Sequence, residues 1–179
     1  KHGENGAEEI LVDENLLAEG HAYCRVVTVE PNPDQTLIAV AVDLIGNWEY
    51  TVFVKNASTG EIVVDPVEKC DYAAVWASDN KTFFYLAMDD SHRAYRVIRH
   101  TIGGENAIVY EEPDGAFYLD MHKSRSGAYL FIDSGSMSAT EVHVLSANDP
   151  FGVWQVIAPR RPWIEYYVTH HGDHFLIRT

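Results

Sequence analysis

Alternating apolar and aromatic runs, each entered through a polar turn, recur along this chain at a fixed distance. Asp79-Asn80-Lys81 leads into Thr82-Phe83-Phe84-Tyr85-Leu86-Ala87, the pattern of a strand leaving a hairpin turn. The pattern recurs at Asp34-Gln35-Thr36-Leu37-Ile38-Ala39-Val40, at Ser126-Gly127-Ala128-Tyr129-Leu130-Phe131-Ile132 and at Gly172-Asp173-His174-Phe175-Leu176-Ile177. Its first strand residues, Leu37, Phe83, Tyr129 and Phe175, are each 46 residues apart, and Val29, Val75, Met121 and Tyr167 keep the same step before the turns. Four copies in register predict a repeat architecture, and a strand-rich period of roughly 40–50 residues is that of a propeller blade. The expected fold is all-β: a partial β-propeller of about three and a half four-stranded antiparallel blades, preceded by a short helix.

The boundaries follow from the turns. Residues 1–21 read as an acidic tail and a short helix that Asp13 can cap, with Leu16 and Leu17 on its apolar side and Gly20 at its end. Residues 22–66 form the first blade, with strands at 25–29, 36–42, 50–55 and 61–64. Residues 67–113 form the second, with strands at 72–76, 82–88, 95–100 and 107–110; residues 114–161 form the third, with strands at 117–121, 128–133, 140–145 and 154–157. Residues 162–179 supply the first two strands of a fourth blade. Stopping there would expose two strand edges, so the segment is expected to be a fragment of a larger propeller.

Charge narrows the partners. The net charge of −14 and pI near 4.9 argue against nucleic acid, whose phosphates require lysine and arginine, and favour cationic ligands or a solvated acidic surface. No apolar run reaches the length of a membrane span, and no signal segment opens the sequence. Cys24 and Cys70 stand 46 apart, at matching places on neighbouring blades and too distant for a disulfide. Two free thiols suit a reducing compartment, and a cytoplasmic location is expected.

The sequence holds little catalytic signal. A serine hydrolase of the α/β type needs a Gly-x-Ser-x-Gly elbow, and none is present. Gly135-Ser136-Met137-Ser138 reads as a loop between strands. His170, His171, Asp173 and His174 carry metal-ligand chemistry, but they flank a hairpin turn where adjacent side chains diverge; no metal and no cofactor is expected. Asp89, Asp90, Glu111 and Glu112 lie beyond strand ends where blade loops gather. They are candidates for a central substrate funnel or an interdomain cleft, against the simpler reading of solvated loop charges.

Several stretches resemble the prolyl oligopeptidase family, and most of all its oligopeptidase B branch. They are Ile10-Leu11-Val12-Asp13-Glu14-Asn15 with Glu19-Gly20-His21, Val75-Trp76-Ala77 with Asp79-Asn80-Lys81-Thr82, and Tyr95-Arg96-Val97-Ile98-Arg99-His100-Thr101-Ile102-Gly103 with Val109-Tyr110-Glu111-Glu112. Further on come Ser138-Ala139-Thr140-Glu141-Val142, Ala158-Pro159-Arg160-Arg161, and Glu165-Tyr166 with His170-His171-Gly172-Asp173. The resemblance implies a seven-bladed propeller seated on an α/β-hydrolase domain that follows it and holds the Ser-Asp-His triad. It implies cleavage of short peptides after Arg or Lys, with the propeller gating access. No catalytic residue of the family falls on this chain. The expected partners are the remaining blades, the hydrolase domain and, for the whole enzyme, short basic peptides. Asn32-Pro33-Asp34-Gln35 replaces a Ser-Pro-Asp-Gly-like turn and Ile98 a common Trp. An inactive relative, or a propeller that only binds another protein, is the alternative.

Overall fold

The computed structural model of the protein describes residue 6 and residues 8–179; the rest of the expected acidic tail lies outside the described residues. The helix is a single turn, α1 (Glu14–Leu17), shorter than the sequence pattern suggests. Asp13 caps it by accepting from the backbone N–H groups of Asn15 and Leu16. The chain leaves it through Gly20, whose φ of 82° is open to glycine at little cost.

Thirteen strands follow, all antiparallel to their partners. They are β1 (Arg25–Pro31), β2 (Leu37–Asp43), β3 (Tyr50–Asn56), β4 (Ile62–Trp76), β5 (Thr82–Met88), β6 (Ala94–Thr101) and β7 (Ala107–Glu111). Then come β8 (Tyr118–Lys123), β9 (Tyr129–Gly135), β10 (Thr140–Ser146), β11 (Gln155–Ala158), β12 (Tyr167–His171) and β13 (His174–Arg178). Strands β8 to β11 make one four-stranded sheet and β12 with β13 a hairpin.

The first seven strands are joined into one hydrogen-bonded sheet by β4, where the sequence suggests two separate strands. The first half of β4 pairs with β3 and closes one blade; the second half pairs with β5 and opens the next. Between them the ladder shifts at Cys70–Ala74 and Lys69 takes a left-handed φ of 57°, so the strand changes direction without breaking. The two blades so joined pack face to face instead of lying flat. Thr28 Oγ1 donates to the Tyr72 carbonyl at 2.7 Å and Trp76 Nε1 donates to the Glu30 carbonyl at 2.9 Å, both across the blade interface.

Alternation along the second strand of each blade builds successive cores. On β2, Ala39 and Ala41 point toward the second blade while Ile38, Val40 and Val42 point the other way. On β5, Phe83 and Tyr85 point back to the first blade while Phe84 and Leu86 meet Leu130 and Ile132 of β9. Phe131 then faces Tyr166, just before the β12–β13 hairpin, and Val168 and Phe175 within it. One strand thus serves two interfaces, because its side chains alternate between faces.

The faces correct the 46-residue register. Leu37 points toward the following blade, whereas Phe83 points toward the preceding one, so the two are not equivalent. The true equivalents are fixed by the turns: Gln35, Asn80, Gly127 and Gly172 all adopt positive φ, of 62°, 63°, 73° and 58°. They are spaced 45, 47 and 45 residues apart. The closing hydrogen bonds agree, from Asn32 N to Leu37 O, Ala77 N to Thr82 O and Ser124 N to Tyr129 O. Ile38, Phe83, Leu130 and Phe175 are therefore the matching residues: the last three face the blade before them, and Ile38 faces the N-terminal segment. A one-residue slip reverses every side chain of a strand, and the average period conceals it.

Candidate functional site

The four acids singled out in the sequence gather at the end of the second blade where β5 turns into β6 and β7 leaves for β8, and each has its own partners. Asp89 closes the β5–β6 turn: it accepts from the Ser91 hydroxyl at 2.6 Å and from Arg93 Nε at 3.0 Å. The Ser91 hydrogen bond, with help from Arg93, holds its pKa far below the usual carboxylate range. Asp90 is exposed and pairs with Lys69 at 2.8 Å. Glu111 pairs with Arg96 on the neighbouring strand.

Glu112 is of another kind. Its side chain is 1% exposed, and it accepts from Arg160 Nη2 at 2.6 Å, Arg160 Nη1 at 3.3 Å, Ser134 Oγ at 2.6 Å and the Asp114 N–H at 3.0 Å. Burial opposes its ionisation, but the hydrogen bonds from Arg160, Ser134 and Asp114 outweigh it and bring the pKa down to about 2. Arg160 also contacts Glu141 at 3.4 Å and lies 3.9 Å over the Phe117 ring. Arg93 Nη1 donates to the carbonyls of Glu112, Asp114 and Phe117. Two arginines thus clamp the 112–117 connection between the second and third blades.

A second acidic group, which the sequence reading passed over, lies where the first strands of successive blades converge. Asp71 on β4 and Asp120 on β8 have no lysine, arginine or histidine within ion-pair distance among the described residues. Burial raises the Asp71 pKa to about 6, with the Asp120 charge adding to it. Asp120 is exposed, yet desolvation by the strands around it still shifts its pKa upward, despite the Met121 N–H donating to it at 2.7 Å. Tyr72 donates its hydroxyl to Asp120 at 3.4 Å and meets Tyr50 edge-on at 6.2 Å between ring centroids. His122, stacked on Phe131, pairs with Asp133 at 2.9 Å, and that hydrogen bond raises its pKa. Two crowded carboxylates beside tyrosine rings favour an incoming ammonium or guanidinium group, which would relieve their repulsion. An acid within the apolar runs Cys70-Asp71-Tyr72 and Leu119-Asp120-Met121 was the available signal.

The remaining sequence candidates are local. Ser136 Oγ accepts from the N–H groups of Ser138 and Ala139 in the β9–β10 turn. His170 Nδ1 lies 2.8 Å from Ser126 Oγ, linking the third blade to the hairpin, and His171 faces His174 across its turn. Cys24 and Cys70 are both free thiols; burial pushes Cys70 up to about 12.

Four-stranded antiparallel units packed face to face around converging acidic first strands define a β-propeller segment. The profile of the prolyl oligopeptidase N-terminal beta-propeller domain matches residues 1–179. The chain is 36% identical over 99% of its length to dipeptidyl aminopeptidase BI of Pseudoxanthomonas mexicana, covering 25% of that protein. It is 30% identical over 98% of its length to Protease 2 of Moraxella lacunata, covering 26%. Oligopeptidase B from Leishmania major superposes with a TM-score of 0.89 at 33% identity, over 99% of this chain and 26% of that one. This chain belongs to the prolyl oligopeptidase family, as part of its N-terminal propeller. It spans about a quarter of the length of the relatives it matches.

Proposed function

We propose that this propeller is the non-catalytic portion of an oligopeptidase-B-like serine peptidase that cleaves short peptides after Arg or Lys. The carboxylates of Asp71 and Asp120, without a cationic partner among the described residues, carry this reading: they sit on the converging first strands, beside tyrosines, half-buried and exposed respectively, with ionisation opposed by partial desolvation. Such a wall concentrates cationic peptides and passes them toward a hydrolase domain, where a serine nucleophile and histidine base perform acyl transfer. The propeller body limits entry to short chains. A cytoplasmic setting belongs to the same proposal, supported by the two free thiols. No helix among the described residues is long and apolar enough to cross a membrane.

The test is steady-state kinetics of the full-length protein with Arg, Lys and uncharged chromogenic peptides. The Asp71→Asn/Asp120→Asn variant is expected to raise KM for the Arg substrate about three- to tenfold at low salt, with kcat nearly unchanged and the effect fading as salt rises. An unchanged KM, or an equal loss on uncharged substrates, overturns the proposed role of the acidic wall. The 36% identity to a dipeptidyl aminopeptidase favours one other reading, release of dipeptides from peptide N-termini; products of a blocked and an unblocked peptide separate the two.

A further inference from the structure

The turn between β12 and β13 is flanked by His170, His171 and His174, and the hairpin sorts them onto two faces. His170 is paired with Phe175, and both turn toward the third blade. The His170 ring meets Tyr129 edge-on at 4.7 Å between centroids, and its Nδ1 lies 2.8 Å from Ser126 Oγ. His171 is paired with His174, so by alternation both side chains leave from the opposite face. Tyr167 and Arg178 are a cross-strand pair on that same face, and the Arg178 guanidinium lies 4.7 Å over the Tyr167 ring. Along the sequence, His170 and His171 diverge. Across the ladder, His171 and His174 converge.

The turn holds the pair in place. Only Gly172 and Asp173 separate the two histidines, and Gly172 takes the positive φ, 58°, that a two-residue hairpin turn requires. Directly opposed residues of an antiparallel ladder have Cβ atoms about 4.5–5.5 Å apart. From there two imidazoles can turn one nitrogen each onto a single ion, at the usual distance of about 2.0–2.1 Å. The backbone is ordered already, so binding fixes little more than the two rings.

Other histidines of the chain are engaged: His122 by Asp133, His143 by Glu141 and His170 by Ser126. His171 and His174 are exposed, and neither side chain has a hydrogen-bond or ion-pair partner among the described residues. The same two places in the earlier turns are Asn32 and Leu37, Ala77 and Thr82, and Ser124 and Tyr129, so the pair is peculiar to this turn. Among the described residues no group of three or more His, Cys, Asp or Glu side chains is placed to hold a metal ion. The pair therefore supplies two ligands, and water completes the set.

We propose that His171 and His174 form a two-histidine site for a divalent transition ion of the zinc class, which ties β12 to β13 at the tip of the hairpin. Imidazole suits zinc, copper and nickel, whereas magnesium and calcium take oxygen ligands. The inference rests on the hairpin alone and is independent of the peptidase reading.

The matching Thr82 and Ser124 border the next blade and are buried, so the test is made on the full-length protein, first stripped with a chelator. Diethyl pyrocarbonate modifies accessible imidazoles, and mass spectrometry reads each residue separately. With Zn2+ at about ten times its Kd, His171 and His174 should both be modified about tenfold more slowly, since only the unbound fraction reacts. His21, an exposed histidine outside the hairpin, should be unaffected. Unchanged rates at either residue of the pair, or no modification of them in the stripped protein, overturn the site. In a competition titration against a chromophoric zinc indicator, His171→Gln and His174→Gln should each remove the same single equivalent. The double variant should lose no more, because neither imidazole chelates alone. Retention of that equivalent in either single variant, or a larger loss in the double, overturns the pair. The labelling of the unsubstituted protein decides alone if the variants fail to fold.

Discussion

Replacing Arg160 by Met leaves the Glu112 carboxylate buried without its counter-charge and removes the guanidinium from the face of Phe117, while keeping an unbranched side chain of similar reach. In the native fold Glu112 is 1% exposed and Arg160 28%, joined by contacts of 2.6 and 3.3 Å. Unfolded, Glu112 titrates near 4.3; folded, it titrates at about 2. A displacement of that size corresponds to about 3 kcal/mol, in line with the about 3–5 kcal/mol lost when one partner of a buried pair is removed. Because the folded pKa is depressed, this stability is present above the unfolded value and is lost as pH falls toward 2. Arg160→Met should therefore lower the unfolding free energy of the propeller by about 3 kcal/mol at pH 7. The gap should narrow steadily below about pH 4.5, as Glu112 is protonated. The assay is denaturant unfolding across pH, with Glu112→Gln and the double variant completing a cycle. The double variant should recover at least about 1.5 kcal/mol relative to Arg160→Met, because removing both charges leaves nothing unpaired. A loss below about 1 kcal/mol, or one independent of pH, would refute the clamp.

Three further outcomes follow from the same geometry. Asp71→Asn should stabilise the fold by about 1–2 kcal/mol at pH 8, after allowing for solvent screening; the raised folded pKa of about 6 means the penalty of ionisation is absent near pH 4, and a gain there as large as at pH 8 would contradict it. Phe131→Ala, which empties the contact between β9 and the β12–β13 hairpin, should cost about 3–5 kcal/mol and speed amide exchange in β13 before β5, as seen by hydrogen exchange. Gly127→Ala should cost about 1–2 kcal/mol by thermal melting through its φ of 73° alone, because nothing lies within 4 Å of the added Cβ.

Strand positions were readable in the sequence because alternation and turn residues coincide at β2, β5, β9 and β13. What alternation could not show was which face each residue takes. That depends on single-residue differences in spacing, and the offsets of 45, 47 and 45 average to the apparent period. The left-handed turn residues carried the correct register: Gln35 and Asn80 occupy the place that Gly127 and Gly172 mark openly. Continuity of β4 was hidden by Pro66 and the polar Glu68-Lys69, which suggest a linker, whereas the ladder tolerates both by shifting register. Glu111 and Glu112 look alike in sequence, yet one is a half-exposed strand-end charge and the other the centre of a buried network. Their difference is made by Arg160, 48 residues away, and by Ser134. Asp71 and Asp120 become a pair only when the blades converge.

The central claim, a propeller that admits short cationic peptides to a hydrolase site, is tested most directly by the cleavage products of the full-length protein. A mixture of short peptides and a folded protein bearing the same Arg and Lys sites would be incubated with it and read by mass spectrometry. The account predicts cuts after Arg and Lys in the short peptides alone, abolished by a serine-directed fluorophosphonate. Cuts at other residues, digestion of the folded protein, or no cleavage at all would contradict it.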